Sequence, residues 1–600
     1  MSRQISRRRF LQGLGTAVAG SLLVACGPEM PTAETTTDVD EDTSPSEDTP
    51  ASQGEVNALG LVLPPDALPL DQQIVRLAVA AAGAGTAGGA HGHSMESLYN
   101  KAYEPGYGGD MLTSLDNDYN VIPIGCESWQ QSDDGLYWDF FLRKGLVFSD
   151  GTLITAQDWV FTLQRSLGNG YDFGWFYGDI KNAKAVLAGE MPQEDLGIEA
   201  IDDYTLRIHT ETVTPYLPAL GVWFELAPKQ AYEVSETWSL EPDNFIASGP
   251  WKLVEFDRGV SYKWLLNSEY KGVRRPYYTA LDAKTRPAAG LASYMAGETD
   301  GYSIGPSTPP YEVAMVNSNP VLRAESHPGP SNVTWYAGFN TLAGKFPPLD
   351  NRDVRLAMSK VFDRETIIGD IFRGFSYPAW GILPKGFPNS QPERMKALDP
   401  NVFDVEVAKQ LLSKAGFPGG EGFPTFEMWL RAPGEQDLSV CQALQAAWKD
   451  YLGITVELKV ADQPTFTAAV FADKSQPLYW VGYSLDYYDP ATFLNVFRDG
   501  GRHPHEDPTW TELYALANSE KDATKRFELL GDAEEMLVDS AAYIFLHQPF
   551  SISLWPCNKA GEALKPNKDG FQFTGGGAPG CAHAFEGTYW SDPACRAALK

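Results

Sequence analysis

Two short motifs in this 600-residue chain carry residue types that could do chemistry. Residues 301–305, Gly-Tyr-Ser-Ile-Gly, fit the G-x-S-x-G elbow of esterases, in which an apolar strand leads to the nucleophilic serine and a helix follows it. Here residues 297–300 are Gly-Glu-Thr-Asp, and prolines at 306, 309 and 310 oppose a helix. His503, His505 and His547 lie downstream, but nothing singles one out as a partner. We therefore expect no catalytic residues.

The second motif is glycine-rich. Residues 83–88 fit G-x-G-x-x-G, which binds a dinucleotide only when a helix begins at the glycines. More glycine follows, then His91, Gly92 and His93, which is typical of a loop. The two histidines could begin a metal site, but no clear third ligand accompanies them. The sequence thus predicts neither cofactor nor metal.

The N-terminus has the form of a bacterial export signal. Residues 6–11, Ser-Arg-Arg-Arg-Phe-Leu, resemble the twin-arginine signal, and an apolar, Gly/Ala-rich run leads to Cys26. The run is too short for a membrane anchor, which needs about 20 apolar residues. We predict a signal peptide over 1–25 and lipidation of Cys26. The protein would then be held at the extracytoplasmic face of the cell membrane, periplasmic or on the cell surface.

Residues 26–70 are predicted to be a disordered acidic tether, because most of the segment up to about residue 57 is Pro, Thr, Ser, Asp or Glu and very little of it is apolar. The whole chain has a net charge of −31, and losing the four signal-peptide arginines would bring it near −35. Such a charge argues against nucleic-acid binding, which requires basic patches. It could favour cationic ligands or simply maintain solubility.

Five cysteines follow Cys26. Export permits disulfides, and a pair among Cys557, Cys581 and Cys595 is plausible because these three lie close together in the sequence. The pairing itself, including any role of Cys126 and Cys441, is left open.

Strand-like and helix-like patterns alternate along the chain, which favours an α/β or α+β protein with several lobes. The predicted strands are 74–79, 137–142, 204–209, 251–256, 262–266, 426–430 and 454–460. The predicted helices are 155–166, 354–362, 404–415, 438–451 and 525–540. No segment after the signal is apolar for the roughly 18 residues that a membrane helix needs.

A series of separated segments stands in one order along the chain. They are 127–129 (ESW), 134–135 (DG), 141–151 (FLRKGLVFSDG), 155–161 (TAQDWVF), 248–253 (SGPWKL), 296–300 (AGETD), 338–341 (GFNT), 353–357 (DVRLA), 362–365 (FDRE), 408–412 (AKQLL), 415–417 (AGF) and 486–490 (DYYDP). Together they resemble the oligopeptide- and dipeptide-binding family of solute-binding proteins of ABC importers, family 5. Tyr483 departs from the family pattern, where a tryptophan is common.

The resemblance implies a two-lobed α/β clamp, the type II periplasmic-binding-protein fold with an extra small domain. Lobe I would combine 71–95, 200–330 and 545–600, the small domain would be 96–199, and lobe II would be 331–544. A hinge motion would close the lobes on the ligand.

The resemblance also implies a ligand site. In peptide-binding members, the aspartate of the Asp-aromatic-x-x-Pro segment pairs with the ligand's α-ammonium, which here is Asp486. The alternative is that Asp486 only caps the turn before Asp489 and Pro490. Lys385 stands near the basic residue that binds the ligand carboxylate in dipeptide binders, or it is merely solvated. The predicted cleft residues are Asp486, Tyr483, Tyr487, Trp480, Asn340, Lys385, Trp380 and Phe375.

The function predicted from the resemblance is that of a monomeric, membrane-tethered receptor that delivers a peptide-like solute to an ABC transporter permease. Within the same fold the ligand could instead be an oligosaccharide, an opine or a nickel chelate. Two rivals from other classes are a ligand-sensing lipoprotein and an extracellular hydrolase.

Overall fold

The computed structural model describes residues 54–79, 108–169, 174–257, 260–285, 290–329, 331–561, 564–566, 568 and 586–599. The predicted signal peptide, Cys26, the glycine motif at 83–88, His91, His93 and Cys581 lie outside these ranges. In the described part of the chain, no helix combines the length and the apolar character needed to cross a membrane.

Strands and helices alternate throughout the described residues. The strands are β1 (Ile74–Val79), β2 (Thr113–Leu115), β3 (Val121–Pro123), β4 (Cys126–Gln131), β5 (Tyr137–Leu142), β6 (Ile198–Asp202), β7 (Thr205–His209), β8 (Trp251–Asp257), β9 (Ser261–Leu266), β10 (Ala280–Thr285), β11 (Tyr302–Ile304), β12 (Ser326–Pro328), β13 (Val333–Phe339), β14 (Ser376–Pro378), β15 (Phe426–Arg431), β16 (Val456–Ala461), β17 (Leu478–Ser484), β18 (Tyr543–Pro549), β19 (Ile552–Leu554), β20 (Lys559–Gly561) and β21 (Thr588–Trp590). The α-helices are α1 (Ala156–Gly168), α2 (Ala183–Leu187), α3 (Leu217–Leu220), α4 (Lys229–Val234), α5 (Leu291–Met295), α6 (Pro310–Ser318), α7 (Pro320–Ala324), α8 (Pro347–Asp350), α9 (Arg352–Ser359), α10 (Arg364–Phe372), α11 (Pro392–Lys396), α12 (Val405–Lys414), α13 (Glu435–Leu452), α14 (Gln463–Phe466), α15 (Ala491–Leu494), α16 (Pro508–Ser519) and α17 (Ala523–Asp539).

Lobe I is built on a four-stranded sheet in the order β1-β10-β9-β8. β1 runs parallel to β10, and the other pairs are antiparallel. Its core centres on Trp251, Trp264 and Leu281, which are almost fully buried. A second, three-stranded sheet, β11-β19-β12, completes the lobe.

The small domain is an antiparallel sheet in the order β4-β5-β7-β6, covered by α1. Thr155 begins α1 with a capping box, since its main-chain N–H donates to Asp158 Oδ2 at 2.8 Å. The boundary predicted between residues 199 and 200 divides β6, and β7 pairs with β5 in the same sheet. We therefore propose that the small domain extends at least to His209.

Lobe II contains a six-stranded mixed sheet in the order β14-β18-β13-β17-β15-β16. β15 is parallel to both β16 and β17, whereas β13 is antiparallel to β17 and β18. Helices α9, α10, α12 and α13 contribute buried residues to the core on one face. The other face packs on α16 and α17 and continues into the core of the small domain.

The chain crosses between the lobes twice, at neighbouring places. It leaves lobe I after β12 and enters the lobe II sheet at β13, and it returns between β18 and β19. The main-chain N–H of Gly329 donates to the carbonyl of Ser551 at 3.2 Å, which joins the two crossings. The boundary predicted at residue 544 divides β18, so we propose that lobe II ends near Pro549. The mixed α/β, two-lobed fold with an extra small domain is as the sequence predicted.

The predicted tether of 26–70 is wrong over its last part. Leu59 and Leu63 are buried, and the side-chain amide of Asn57 donates to the carbonyl of Pro276 at 2.9 Å. The reason is composition, because residues 58–70 carry five leucines, and burying apolar side chains offsets the ordering entropy of the segment. We propose that the segment packs as part of lobe I.

One disulfide joins Cys557 to Cys595, with their Cα atoms 6.2 Å apart. The prediction of a pair among the three C-terminal cysteines is confirmed. Cys126 and Cys441 are buried and free.

Candidate functional site

The candidate site lies where two parallel strands of lobe II end. Arg431 is the last residue of β15, and Asp486 comes two residues after the end of β17. Ligands of open α/β sheets bind at the carboxyl ends of parallel strands, because the loops there leave a crevice. Asp486 and Arg431 are therefore at the edge of the sheet where a ligand is expected.

Asp486 is held by contacts from both sides. Its carboxylate Oδ2 accepts a hydrogen bond from the Tyr483 hydroxyl at 2.7 Å, and its main-chain N–H donates to Thr492 Oγ1 at 2.9 Å. Its carbonyl accepts from the indole N–H of Trp223 at 2.7 Å. Trp223 follows α3, on the small-domain side, so this bond links that side to lobe II.

The turn that follows is capped by Asp489, not by Asp486. Asp489 Oδ1 accepts from the N–H of Ala491 at 2.9 Å, and both carboxylate oxygens accept from Arg526 at 2.7 Å each. Asp486 thus has no role as the cap of this turn, and its carboxylate is left for another partner.

The environment of Asp486 suits a cationic group. Burial raises the pKa of its carboxyl, while the hydrogen bond from Tyr483 and the positive charge of Arg502 act in the opposite direction. An ammonium group placed against the ionised carboxylate would offset its desolvation. A charge-assisted hydrogen bond of this kind stabilises a complex by about 1.5–3 kcal/mol.

Aromatic rings form a wall around the aspartate. Tyr487 stacks on Tyr216 with ring centroids 4.7 Å apart and planes 6° apart, and Tyr488 stacks on Tyr119 at 5.3 Å. In each pair one ring belongs to lobe II and the other to the chain before Trp223. The Tyr487 hydroxyl is buried without a hydrogen-bond partner in the described structure.

Two other predicted cleft residues lie away from Asp486. Trp480 is on the opposite face of the sheet from Tyr483, because side chains alternate along β17, and it stacks with Trp335 and His547. Asn340 follows β13, which runs antiparallel to β17 with Phe339 opposite Leu478. Asn340 therefore lies at the far end of the sheet, about 20 Å from Asp486 at the usual rise per residue.

The amide of Asn340 is also fully used within the protein. Its Nδ2 donates to the carbonyls of Lys474 and Gln476 at 2.8 and 3.0 Å, and its Oδ1 accepts from the N–H of Leu342. The Asn340 side chain is thus bonded within lobe II, and segment 338–341 lies at the end of β13.

Lys385 and Trp380 line a different cavity, of about 180 Å³, inside lobe II. The Lys385 ammonium lies 4.5 Å from the centroid of Tyr377, and the centroid of the Trp380 ring lies 5.4 Å from Arg364 Cζ and 5.1 Å from Lys396 Nζ. The buried Glu534 also lines this cavity, and its Oε1 accepts from the N–H of Leu383 at 2.9 Å. Asp486 does not line it.

Phe375 packs near the crossings between the lobes. Its side chain joins the lobe I core of Leu291, Tyr294 and Leu554, and its carbonyl accepts from the N–H of Phe550 at 3.1 Å. It is placed to act on the hinge and not at Asp486.

Residues 301–305 do not form a nucleophile elbow. Ser303 lies in the middle of β11, paired with Ser553 of β19, and the next helix begins only at Pro310, since proline is tolerated at a helix start. His503 lies between the hydroxyls of Tyr336 and Tyr479, and His505 contacts Thr341. None of the three contacts Ser303.

His547 is the most enzyme-like of the three histidines. Its ring nitrogens lie 3.0 Å from Asp437 Oδ1 and 3.3 Å from Ser376 Oγ, but the side chain is fully buried between aromatic rings. A substrate has no access to such a serine without rearrangement. In the described residues no group of three or more His, Cys, Asp or Glu side chains could hold a metal ion.

Four residues of this region were not predicted from the sequence. Trp223 and Arg502 interact with Asp486, Tyr216 stacks on Tyr487, and Arg431 interacts with Arg502. For Arg431 a signal was available, because it follows the predicted strand 426–430 just before Ala-Pro-Gly, where a ligand crevice is expected. The other three are brought to the site only by tertiary packing.

Comparison with known proteins identifies the family. The family model described as bacterial extracellular solute-binding proteins, family 5, middle, matches residues 120–504. The oligopeptide-binding protein OppA of Bacillus subtilis is 28% identical over 452 residues, which cover 71% of this chain and 79% of that protein. The murein peptide-binding protein MppA of Escherichia coli is 28% identical over 458 residues, covering 73% and 81%.

Solved structures share the fold. The unliganded open form of the murein tripeptide-binding protein MppA has a TM-score of 0.69 at 22% identity, covering 88% of this chain and 99% of that one. Haemophilus influenzae OppA, in complex with the peptide RPPGFSPFR, has a TM-score of 0.61 at 21% identity, covering 87% and 100%. The chain therefore belongs to family 5 of the bacterial extracellular solute-binding proteins, a family of binding proteins and not of enzymes.

Proposed function

We propose that this protein captures a peptide between its lobes and delivers it to the permease of an ABC importer. The single observation that supports this most is Asp486, a half-buried carboxylate positioned at a strand end beside the junction with the small domain. Relatives named for peptide binding include OppA and MppA, and one solved relative holds a nine-residue peptide.

In this proposal the carboxylate of Asp486 pairs with the ligand's α-ammonium. Tyr483 orients the carboxylate through its hydroxyl, and the Tyr487 and Tyr488 rings, stacked on Tyr216 and Tyr119, form the wall beside it. Because these stacks join lobe II to the small-domain side, the wall is completed only when both parts are in place. A ligand that contacts both would favour the closed arrangement.

Calorimetry of the purified protein tests the ligand class. We expect binding to peptides with a free N-terminus, and no binding to the same peptides after N-acetylation. Neutral oligosaccharides, opines and nickel chelates are titrated in the same way, because they are the other ligand classes that the fold could bind. Binding of a sugar without binding of any peptide would overturn the proposal, as would turnover of any compound offered.

Delivery and tethering need tests in cells. We propose that Cys26 carries the lipid that holds the protein at the extracytoplasmic face, as its signal sequence suggests. Cys26→Ser should then release the protein from the membrane fraction. Loss of the gene should abolish uptake of a peptide that the purified protein binds. Normal uptake in its absence would favour a sensor that feeds no transporter.

A further inference from the structure

The cavity inside lobe II takes no part in the candidate peptide site. Its walls come from the segment 377–396, from Glu365 of α10, from Glu534 of α17 and from Gln548 of β18. Its volume is about 180 Å³, whereas one water molecule needs roughly 10–15 Å³ of such space, so a small organic molecule fits. Asp486 does not line it, so a ligand bound here would be separate from one bound at Asp486.

Glu534 brings to this cavity a carboxylate oxygen that has no partner. The residue is almost fully buried, with an exposed fraction of 1%. Its Oε1 accepts from the main-chain N–H of Leu383 at 2.9 Å, whereas its Oε2 is buried and has no hydrogen-bond partner in the described structure. A buried acceptor without a donor is unfavourable, and more so when it carries charge. A ligand that supplies the donor would recover that free energy.

The carboxyl group of Glu534 is held in place by the chain around it. A Cβ atom at Gly381 would lie 2.3 Å from its Oε1, so any larger residue here would displace the carboxyl group. The same segment is fixed by Gln548, whose Oε1 accepts from the N–H of Lys385 at 3.0 Å and whose Nε2 donates to the carbonyl of Leu383 at 3.2 Å. The acceptor is therefore preorganised, and a ligand would not have to order it.

The charged groups that line the cavity carry a net negative charge when all are ionised. They are three carboxylates and two ammonium groups: Glu365, Glu393, Glu534, Lys385 and Lys396. Lys396 pairs with Glu365 at 2.5 Å, which cancels one charge of each sign. The Lys385 ammonium lies over the Tyr377 ring and makes no ion pair in the described residues. Three acids against two lysines favour a cationic ligand.

Glu534 itself forms no ion pair within 4 Å in the part of the chain that the structure describes. Burial raises the pKa of its carboxyl to about 7, and the positive charge of Arg394 opposes this only in part. Arg394 is bonded to Asp532 and Glu535 at 2.7 and 2.6 Å, so its charge is already compensated. The ionised form of Glu534 therefore lacks a cation, which an ammonium group would supply.

Two further features of the lining suit an ammonium group. The hydroxyl of Ser390 donates to a main-chain carbonyl at 3.3 Å, so its oxygen can accept another hydrogen bond. Tyr377 and Trp380 contribute aromatic rings, and lysine ammonium groups lie 4.5 and 5.1 Å from their centroids. An organic cation is attracted to such rings for the same reason.

We propose that this cavity binds a small primary amine, with its ammonium group paired to Glu534 Oε2. The ligand class follows from an unpaired carboxylate, a hydroxyl acceptor and aromatic walls in a space that admits only a small molecule. The amine would be a second ligand, bound inside lobe II and apart from the peptide. Peptide binding is not required for it, because none of the residues proposed to bind the peptide lines this cavity.

Calorimetry of the purified protein with simple amines tests this site. n-Butylamine, ethanolamine and putrescine are titrated at pH 8, where Glu534 is mostly ionised and alkylamines are protonated. n-Butanol is the matched neutral compound. Glu534→Gln removes the charge and keeps an oxygen for the Leu383 N–H. Glu528→Gln is the control, because Glu528 is exposed on the same helix and makes no side-chain hydrogen bond or ion pair in the described structure.

We expect the amines to bind the wild type and n-butanol not to bind. Glu534→Gln should weaken amine binding by about tenfold to a hundredfold, because a charge-assisted hydrogen bond is lost. Glu528→Gln should leave it unchanged. Thermal unfolding shows whether Glu534→Gln is folded. If it is not, Ser390→Ala, at a half-buried position on the cavity wall, should still weaken amine binding several-fold.

Equal affinity of the wild type and Glu534→Gln for the amines would overturn the proposal. Binding of n-butanol as tight as that of n-butylamine, or no binding of any amine, would also overturn it. Amine binding that is lost in Asp486→Asn but kept in Glu534→Gln would place the amine at the peptide site, which overturns this proposal and leaves the proposed function intact. Amine binding at Glu534 without binding of any peptide would overturn the proposed function alone.

Discussion

The indole N–H of Trp223 donates to the main-chain carbonyl of Asp486 across 2.7 Å, and the two residues are 263 positions apart in sequence. This bond fixes the backbone of the residue that we propose binds the ligand's ammonium group. It comes from residue 223, a part of the chain outside lobe II. The position of Asp486 therefore depends on how these two parts meet.

Replacing Trp223 with phenylalanine should weaken peptide binding several-fold and lower the free energy of unfolding by about 1 kcal/mol, because one buried hydrogen bond is lost. Calorimetry and urea unfolding measure the two effects. Trp129→Phe is the matched control, since Trp129 lies in β4 and makes no side-chain hydrogen bond in the described structure. Equal effects from both changes would contradict a specific role for Trp223.

Asp486→Asn should weaken peptide binding by more than tenfold while changing thermal stability little, because the amide keeps the shape but loses the charge that pairs with an ammonium group. Affinity for the wild type should also fall as the pH is lowered, since burial raises the pKa of Asp486 and protonation removes the same charge. The variant should lose this acid sensitivity. Asp370→Asn, at an exposed position on α10, is the control. Unaltered affinity in Asp486→Asn would remove Asp486 from the site.

The contribution of the protonated Glu534 side chain to the free energy of unfolding should fall as the pH rises. Burial raises the pKa of its carboxyl to about 7 in the folded state, above its ordinary value of 4.5, so folding favours the protonated form. Its contribution is complete below about pH 4.5 and is lost as the pH rises through 7. Between pH 4.5 and 8 the free energy of unfolding, measured with urea, should fall by about 3 kcal/mol more in the wild type than in Glu534→Gln.

The comparison with Glu534→Gln is necessary because Asp110 and Asp300 contribute a dependence of the same sign. Burial raises their pKa values to about 7 and about 6. Parallel stability curves for the wild type and the variant would show that Glu534 is ionised in the folded protein at neutral pH.

The disulfide between Cys557 and Cys595 should stabilise the protein by about 2–5 kcal/mol, because it constrains the unfolded chain across a 38-residue separation. Replacing both cysteines with serine should lower the unfolding temperature, and reductant should then have no further effect. If reductant destabilised the double variant as much as it destabilises the wild type, the stabilising disulfide would involve other cysteines.

The strands and helices whose positions the sequence predicted correctly are those with alternating polar and apolar residues or with clear helix-capping residues. β1 and β5 match their predicted ranges residue for residue, and α12 begins after Asp404, which caps it, and ends before Gly416 with its φ of +98°. Capping and alternation are local physics, so they can be read from a short stretch of chain.

The central strands of lobe II escaped prediction. β13, β17 and β18 are covered on both faces, so their side chains are apolar or aromatic nearly throughout and show no alternation. The position of Asn340 could not be read from the sequence either, since only the antiparallel register of β13 with β17 places it far from Asp486.

The site was predicted in part for a related reason. Asp486 and Tyr483 are three residues apart and contact each other, which a local motif can indicate. Trp223, Tyr216 and Arg502 reach the same place from distant parts of the chain, and a single sequence carries no signal of that packing.

A crystal structure of the protein with a peptide selected by calorimetry tests the central claim most directly. The account predicts the peptide between the lobes, with its ammonium group within hydrogen-bond distance of the Asp486 carboxylate. A peptide bound elsewhere, or lobes joined along a solid seam that leaves it no room, would contradict the account.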